Sequence, residues 1–216
     1  MSRRLPVLFD EASQPIDKRI ATGLQKLGLA MKHQAWSQAS QAGLSPTQGQ
    51  ILATLGVEGS LTGSELATRL GITLPTVSDS VRVLVEKGTV AKQPDPRHPR
   101  ASLLALTAAG RALADQVSTW PDFLSDAASE LSPPEQEAFL GGVVKMIRAL
   151  QVKGLIPTSR MCVSCTYFRP HAHQGPLPHH CAFVDAPMAD RHLRVECADH
   201  EEAPAEQRDE AWRRFV

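Results

Sequence analysis

The chain has 216 residues, 42% of them apolar, with 23 basic and 23 acidic side chains and no formal net charge. That length holds one medium domain and a smaller appendage, and the apolar content excludes wholesale disorder. No apolar run approaches the roughly 20 residues a membrane-spanning helix needs, and residues 1–10 lack the long apolar stretch and small-residue cleavage site of a signal peptide, so the expected setting is the cytoplasm, away from membranes.

Residues 1–14 read as a flexible arm. From Ile16 a helical stripe runs through Ile20, Leu24, Leu27, Met31 and Ala35 and stops at Gly43. A second helix starts at Ser45-Pro46-Thr47-Gln48, where Ser45 caps, Pro46 suits the first turn and Gln48 closes a capping box. Its core face is Ile51, Leu52 and Leu55. Thr62-Gly63-Ser64-Glu65 repeats the capping pattern ahead of a short helix carrying Leu66, Ala67 and Leu70, and Gly71 makes a turn. Thr73 caps the next helix, with Pro75 in its first turn and Val77, Val81, Leu84 and Val85 as its buried stripe.

Two short strands follow, residues 89–92 and 102–106, flanking a polar loop with a basic tip, Gln93-Pro94-Asp95-Pro96-Arg97-His98-Pro99-Arg100. Thr107 caps a long helix to about residue 131, which Pro121 should kink or split. Ser132-Pro133-Pro134-Glu135 opens another helix, with Phe139, Leu140, Val143, Ile147 and Leu150 on one face. Residues 158–200 shift to Cys, His and Pro with little periodicity, and residues 206–216 form a last amphipathic stretch. The expected organisation is therefore the arm, a domain at 15–155 and a cysteine-rich module at 156–216.

Charge is unevenly spread. Between Thr73 and Arg111 six basic residues face three acids; between Asp185 and Glu210 nine acids face three arginines. The first stretch can meet phosphates and the second should face away from them.

Two short helices about a glycine turn, followed by a basic hairpin, make a winged helix-turn-helix. The second helix of such a pair enters the DNA major groove by its N-terminal end. Here Thr73, Pro75, Thr76, Ser78, Asp79 and Arg82 lie off the apolar stripe and form the candidate contact set. Small hydroxyls reach phosphates or base edges, and the free N–H groups of the helix start attract a phosphate. Asp79 repels phosphates, so it must accept from a cytosine amine or pair with an arginine. Arg97, His98 and Arg100 at the wing tip complete the set, the arginines suiting a narrow minor groove.

These residues resemble the MarR family. The likeness rests on Leu61–Leu70 as scaffold helix and Ile72–Gly88 as recognition helix. The wing 95–100 is similar to the family's Asp-x-Arg-Asp-x-Arg turn, and Leu104–Gly110 to its strand-to-helix exit. The resemblance covers about residues 16–150. It implies a homodimer on a pseudo-palindromic operator in double-stranded DNA, usually as a repressor, with the first helix and the last two forming the dimer interface. It also implies that a small aromatic or phenolic effector could bind. His98 departs from the family pattern by replacing an acid, and Asp79 stands where many members carry arginine. The long helices are too apolar to be buried within one small domain, which independently favours a symmetric dimer.

All four cysteines lie in the last quarter, as Cys162-x2-Cys165-x15-Cys181-x15-Cys197. In a reducing compartment such a cluster is more often a metal site than a disulfide framework. One Cys-x2-Cys turn plus two single cysteines suits an iron–sulfur cluster, of the four-iron type, better than a zinc site built from two knuckles. Zinc on Cys162, Cys165, Cys197 and His200 is the alternative, and free reactive thiols a third. His179 and His180 are candidates to support the thiols or to replace one; His171, His173 and His192 are given no role. No Gly-rich phosphate loop, nucleophile elbow or His-Glu-x-x-His motif is present, so the chain does not read as an enzyme. The expectation is a mainly α DNA-binding regulator, with a small irregular module sensing iron, oxygen, nitric oxide or redox state. Metal loss would disorder residues 158–200 and alter the spacing of two reading heads.

Overall fold

The structure is a computed structural model that describes residues 13–96, 102–118 and 122–216. It contains two compact units. The first takes the chain through Gly63 and resumes at Pro75 through the end of the wing and the helix beyond; the second combines Ser64–Leu74 with the chain from Asp122 to Val216.

In the first unit, helix α1 (Ile16–Gln41) buries only Ala39. It ends at Gly43, whose φ of +65° allows the Leu44 N–H to reach back to the Ala39 carbonyl at 2.8 Å. Helix α2 (Pro46–Glu58) starts as its sequence predicts: the Gln48 N–H donates to Ser45 Oγ at 3.2 Å, and the Ser45 N–H to Gln48 Oε1 at 3.0 Å. Ile51, Leu52 and Leu55 are its buried face.

A three-stranded antiparallel sheet of order β1–β3–β2 joins β1 (Leu61–Thr62), β2 (Val90–Pro94) and β3 (Ser102–Leu106), with Leu61 opposite Leu104 and Val90 opposite Leu106. Helix α5 (Ala108–Ser118) begins where Thr107 Oγ1 accepts the Gly110 N–H at 3.0 Å. It packs along α2, with Arg111 donating to the Gly56 carbonyl at 3.0 Å. Helix α4 (Leu74–Glu86) buries Val77, Val81 and Leu84.

The second unit opens with most of α3 (Gly63–Leu70), whose C-terminus turns at Gly71. A side chain there would be excluded twice: φ is +63°, and a Cβ would lie 3.0 Å from Pro157 Cγ. The long helix expected up to residue 131 is two helices, α5 and α6 (Asp122–Ser129); Pro121 itself lies outside the described residues. Helix α7 (Pro133–Val152) is opened by the Glu135 carboxylate, which accepts from the Ser132 N–H at 2.9 Å and its hydroxyl at 2.5 Å.

The segment expected to be irregular contains a small antiparallel sheet, order β4–β5–β6: β4 (Phe168–Arg169), β5 (His179–Cys181) and β6 (Ala186–Met188). Strands of two or three residues are too short to show an alternating pattern in sequence. Helix α8 (Ala205–Phe215) closes the unit.

These parts share one core. Val144 of α7, Met161, Val163, Phe168, Met188, Leu193 and Phe215 of α8 are buried together, with Leu140 and Ile147 of α7 packed against them. The centre of the buried face of α7 is Val144 and Arg148, while Phe139, Met146 and Leu150 remain exposed. The single apolar face expected for this helix is thus two stripes. Arg148 tolerates burial because its Nη2 meets Asp209 of α8 at 3.3 Å and its guanidinium lies over Trp212. No helix among the described residues is long and apolar enough to cross a membrane.

Candidate functional site

The four cysteines reach one place from three parts of the second unit. A 3₁₀ turn at Cys162–Ser164, closed by the Cys165 N–H to the Cys162 carbonyl at 2.9 Å, presents the first two. Two separate main-chain contacts tie the later chain to this turn: the Cys162 N–H donates to the Arg194 carbonyl at 3.1 Å, and around an antiparallel bridge between Cys165 and Glu202 the Thr166 N–H donates to the Glu201 carbonyl at 2.8 Å and the Ala203 N–H to the Ser164 carbonyl at 2.9 Å. Cys197 lies between these two contacts. Strand β5 supplies Cys181, in register with Phe168 of β4.

None of the four is in a disulfide, and all line one pocket of about 290 Å³ together with Tyr167, Phe183, Arg194, Asp199 and His200. Among the described residues no group of three or more His, Cys, Asp and Glu side chains is placed to hold a single metal ion. Cys162, Cys165 and Cys181 also pack against the buried core that contains Val144. Burial pushes the Cys162 thiol above its ordinary pKa; the Arg194 N–H on its sulfur opposes this, and the three other thiols add to it.

His200 lines the pocket, and its Nε2 lies 3.0 Å from the hydroxyl of buried Ser164. The same hydroxyl lies within donating distance of the Met161 carbonyl at 3.0 Å. Burial lowers the His200 pKa. The other histidines near the thiols have different work. His179, 1% exposed, accepts the His171 N–H on Nδ1 at 3.2 Å and donates from Nε2 to Asp190 at 2.6 Å. His180 links His173 at 3.1 Å to Asp185 at 3.2 Å. These bonds tie loops of the module together. His192 accepts the Ala189 N–H and lines the pocket.

Arg194 is the participant that composition did not single out. Its backbone N–H donates to Cys162 Sγ at 3.2 Å and its Nη1 to Cys197 Sγ at 3.5 Å. Its position three residues before Cys197 is the only local signal it carries.

The candidate DNA contacts stand elsewhere. Thr73, Pro75, Thr76, Ser78, Asp79 and Arg82 are all exposed, around the buried Val77/Val81/Leu84 stripe of α4. Arg82 pairs with Glu86 at 3.4 Å; among the described residues no arginine pairs with Asp79. Arg97, His98 and Arg100 lie outside the described residues. Asp95, at the wing's base, is 2% exposed and has a polar partner.

The order α3, turn, α4, β2, β3 with flanking helices defines a winged-helix protein, and the comparisons carry this to a family. The profile of the MarR family matches residues 42–101. Transcriptional regulator AdcR of Streptococcus pneumoniae serotype 2 is 35% identical over 116 residues, 50% of this chain and 79% of that protein. Among solved structures, S. aureus MepR in its DNA-binding conformation matches with a TM-score of 0.55 at 26% identity, over 61% of this chain and 98% of that one. The S. aureus MepR–DNA complex matches at 0.54 and 27%, over 61% and 97%.

The chain belongs to the MarR family, and is a transcriptional regulator and not an enzyme. The cysteines lie beyond the residues that the family profile matches.

Proposed function

We propose that this protein is a homodimeric repressor that binds operator DNA, with a [4Fe–4S] cluster held by Cys162, Cys165, Cys181 and Cys197 as its sensor of iron, oxygen, nitric oxide or redox state. The observation that carries the sensor is the convergence of four thiols from three segments on one pocket. Thiolates are soft ligands suited to iron–sulfur chemistry, and a four-iron cluster takes four of them. When bound, the cluster would supply a centre that gains or loses one electron and is labile to oxidants.

DNA binding is supported by the exposed N-terminal face of α4 and by the likeness to MepR, solved with DNA. A dimer is supported by the apolar residues left exposed on α1 (Ile16, Ile20, Leu27, Met31) and on α7 (Phe139, Met146, Leu150). Coupling follows from packing. Leu140, Val144 and Ile147 of α7 share a core with Cys162, Cys165 and Cys181, so order at the thiols is order on one face of a proposed dimer helix.

A second reading, zinc on Cys162, Cys165, Cys197 and His200, is favoured by one observation: the Ser164 hydroxyl lies 3.0 Å from His200 Nε2, a contact of the kind that orients a metal-binding imidazole. It leaves Cys181 unused although that thiol lines the same pocket. Anaerobically purified protein separates the two: brown, with stoichiometric iron, for the cluster; colourless, with zinc, for the alternative. Operator affinity is then compared between loaded wild type and Cys181→Ser. Weaker or stronger binding by the variant supports the sensor. Equal affinity refutes it and leaves a structural metal.

A further inference from the structure

We infer that Arg194 is a positioning residue that raises the reduction potential of the proposed cluster and holds Cys162 and Cys197 in place. The inference rests on the cluster reading above and concerns the control of that same site. Arg194 touches two of the four thiols in two ways. Its main chain is bonded to Cys162 twice, N–H to Sγ at 3.2 Å and carbonyl from the Cys162 N–H at 3.1 Å. Its side chain reaches Cys197 Sγ through Nη1 at 3.5 Å. Among the described residues, Cys165 and Cys181 accept no hydrogen bond at sulfur. The donors to the site are thus concentrated in one residue, and that residue carries a permanent positive charge.

The sign follows from charge. In a reductive titration the cluster gains one electron from added dithionite, and the extra negative charge spreads onto its thiolate ligands. An N–H donor and a cation beside those sulfurs stabilise the reduced form more than the oxidised one, so they raise the potential. Asp199 acts in the opposite sense. It lines the pocket, and its carboxylate lies 4.0 Å from the Arg194 guanidinium, close enough to offset part of that charge. The Arg194 side chain is 56% exposed, so salt screens its influence.

The substitution Arg194→Gln removes the charge and leaves both main-chain bonds to Cys162. The test is a spectroelectrochemical titration of wild type, Arg194→Gln, Arg194→Lys and Asp199→Asn, with iron per protein determined for each. Expected are a lower midpoint for Arg194→Gln, a smaller fall for Arg194→Lys and a rise for Asp199→Asn, at wild-type iron content. The gap between Arg194→Gln and wild type should shrink as ionic strength rises. A purely structural arginine would change iron content and leave the midpoint alone. Unchanged or reversed midpoints overturn the inference while the cluster reading stands. Wild-type protein without iron overturns both. Should Arg194→Gln fail to retain iron, Arg194→Lys and Asp199→Asn decide the matter by the same signs.

Discussion

Replacing Gly110 by alanine should unsettle the wing while leaving the cysteine pocket intact. Gly110 lies in the first turn of α5, and a Cβ there would sit 1.9 Å from the Thr89 carbonyl oxygen and 2.9 Å from its carbon. Carbon does not approach main-chain oxygen closer than 3.0 Å, so α5 and the start of β2 must part by about 1 Å. Overpacking of this kind costs about 1–3 kcal/mol. The same carbonyl accepts the Thr107 N–H at 3.1 Å, and straining that bond adds about 1 kcal/mol. Alanine's better helix propensity returns about 1 kcal/mol. The net loss is about 1–3 kcal/mol, confined to the first unit. Chemical denaturation followed by circular dichroism measures it; metal content and operator affinity are read on the same samples. Gly141 of α7 is the control, because a Cβ there meets nothing within 4 Å and alanine should gain about 0.5–1 kcal/mol. A Gly110→Ala protein as stable as wild type would refute the packing argument. Iron release from the proposed cluster without loss of stability would refute the claim that the strain at Gly110 stays within the first unit.

Two further outcomes follow from the second unit. Phe215→Ala should cost about 3–5 kcal/mol and speed iron release from the proposed cluster, because this buried ring packs on Phe168, His179 and Trp212, in the core against which the thiols pack; unchanged iron release, measured with a chromogenic chelator, would separate α8 from the site. Glu135→Ala should destabilise α7 in a pH-dependent way. Hydrogen bonds from Ser132 lower the Glu135 pKa below its ordinary 4.5, so its contribution is present above that value and is lost as pH falls through the lowered one. The melting-temperature gap between variant and wild type should therefore be largest near neutrality and close in acid. A constant gap would mean that the carboxylate's charge is not what opens the helix.

Much of the first unit was legible because its signals are local. Ser45 and Gln48 are three residues apart and satisfy each other, and Thr107 caps a helix whose third residue donates to it. Such bonds depend on the few residues that form them. The exposed set on α4 was legible for the same reason: a stripe at Val77, Val81 and Leu84 assigns the remaining positions to the outside. The four cysteines announced a thiol site by type and clustering alone.

Tertiary structure decided what those thiols have around them. Cys181 is 16 residues from each neighbouring cysteine, and no local pattern says that a two-residue strand will set it opposite Phe168. Arg194 gains its role through a main-chain pairing with Cys162, 32 residues away. Helix α7 shows the same limit: periodicity merged two stripes into one face, because Arg148 reads as a solvent-facing charge until Asp209 and Trp212 of α8 cover it. Sequence thus determined where most of the helices form and that all four cysteines cluster in one part of the chain. Only the long-range contacts decided that the site and α7 share one core, because burial depends on partners distant in the chain.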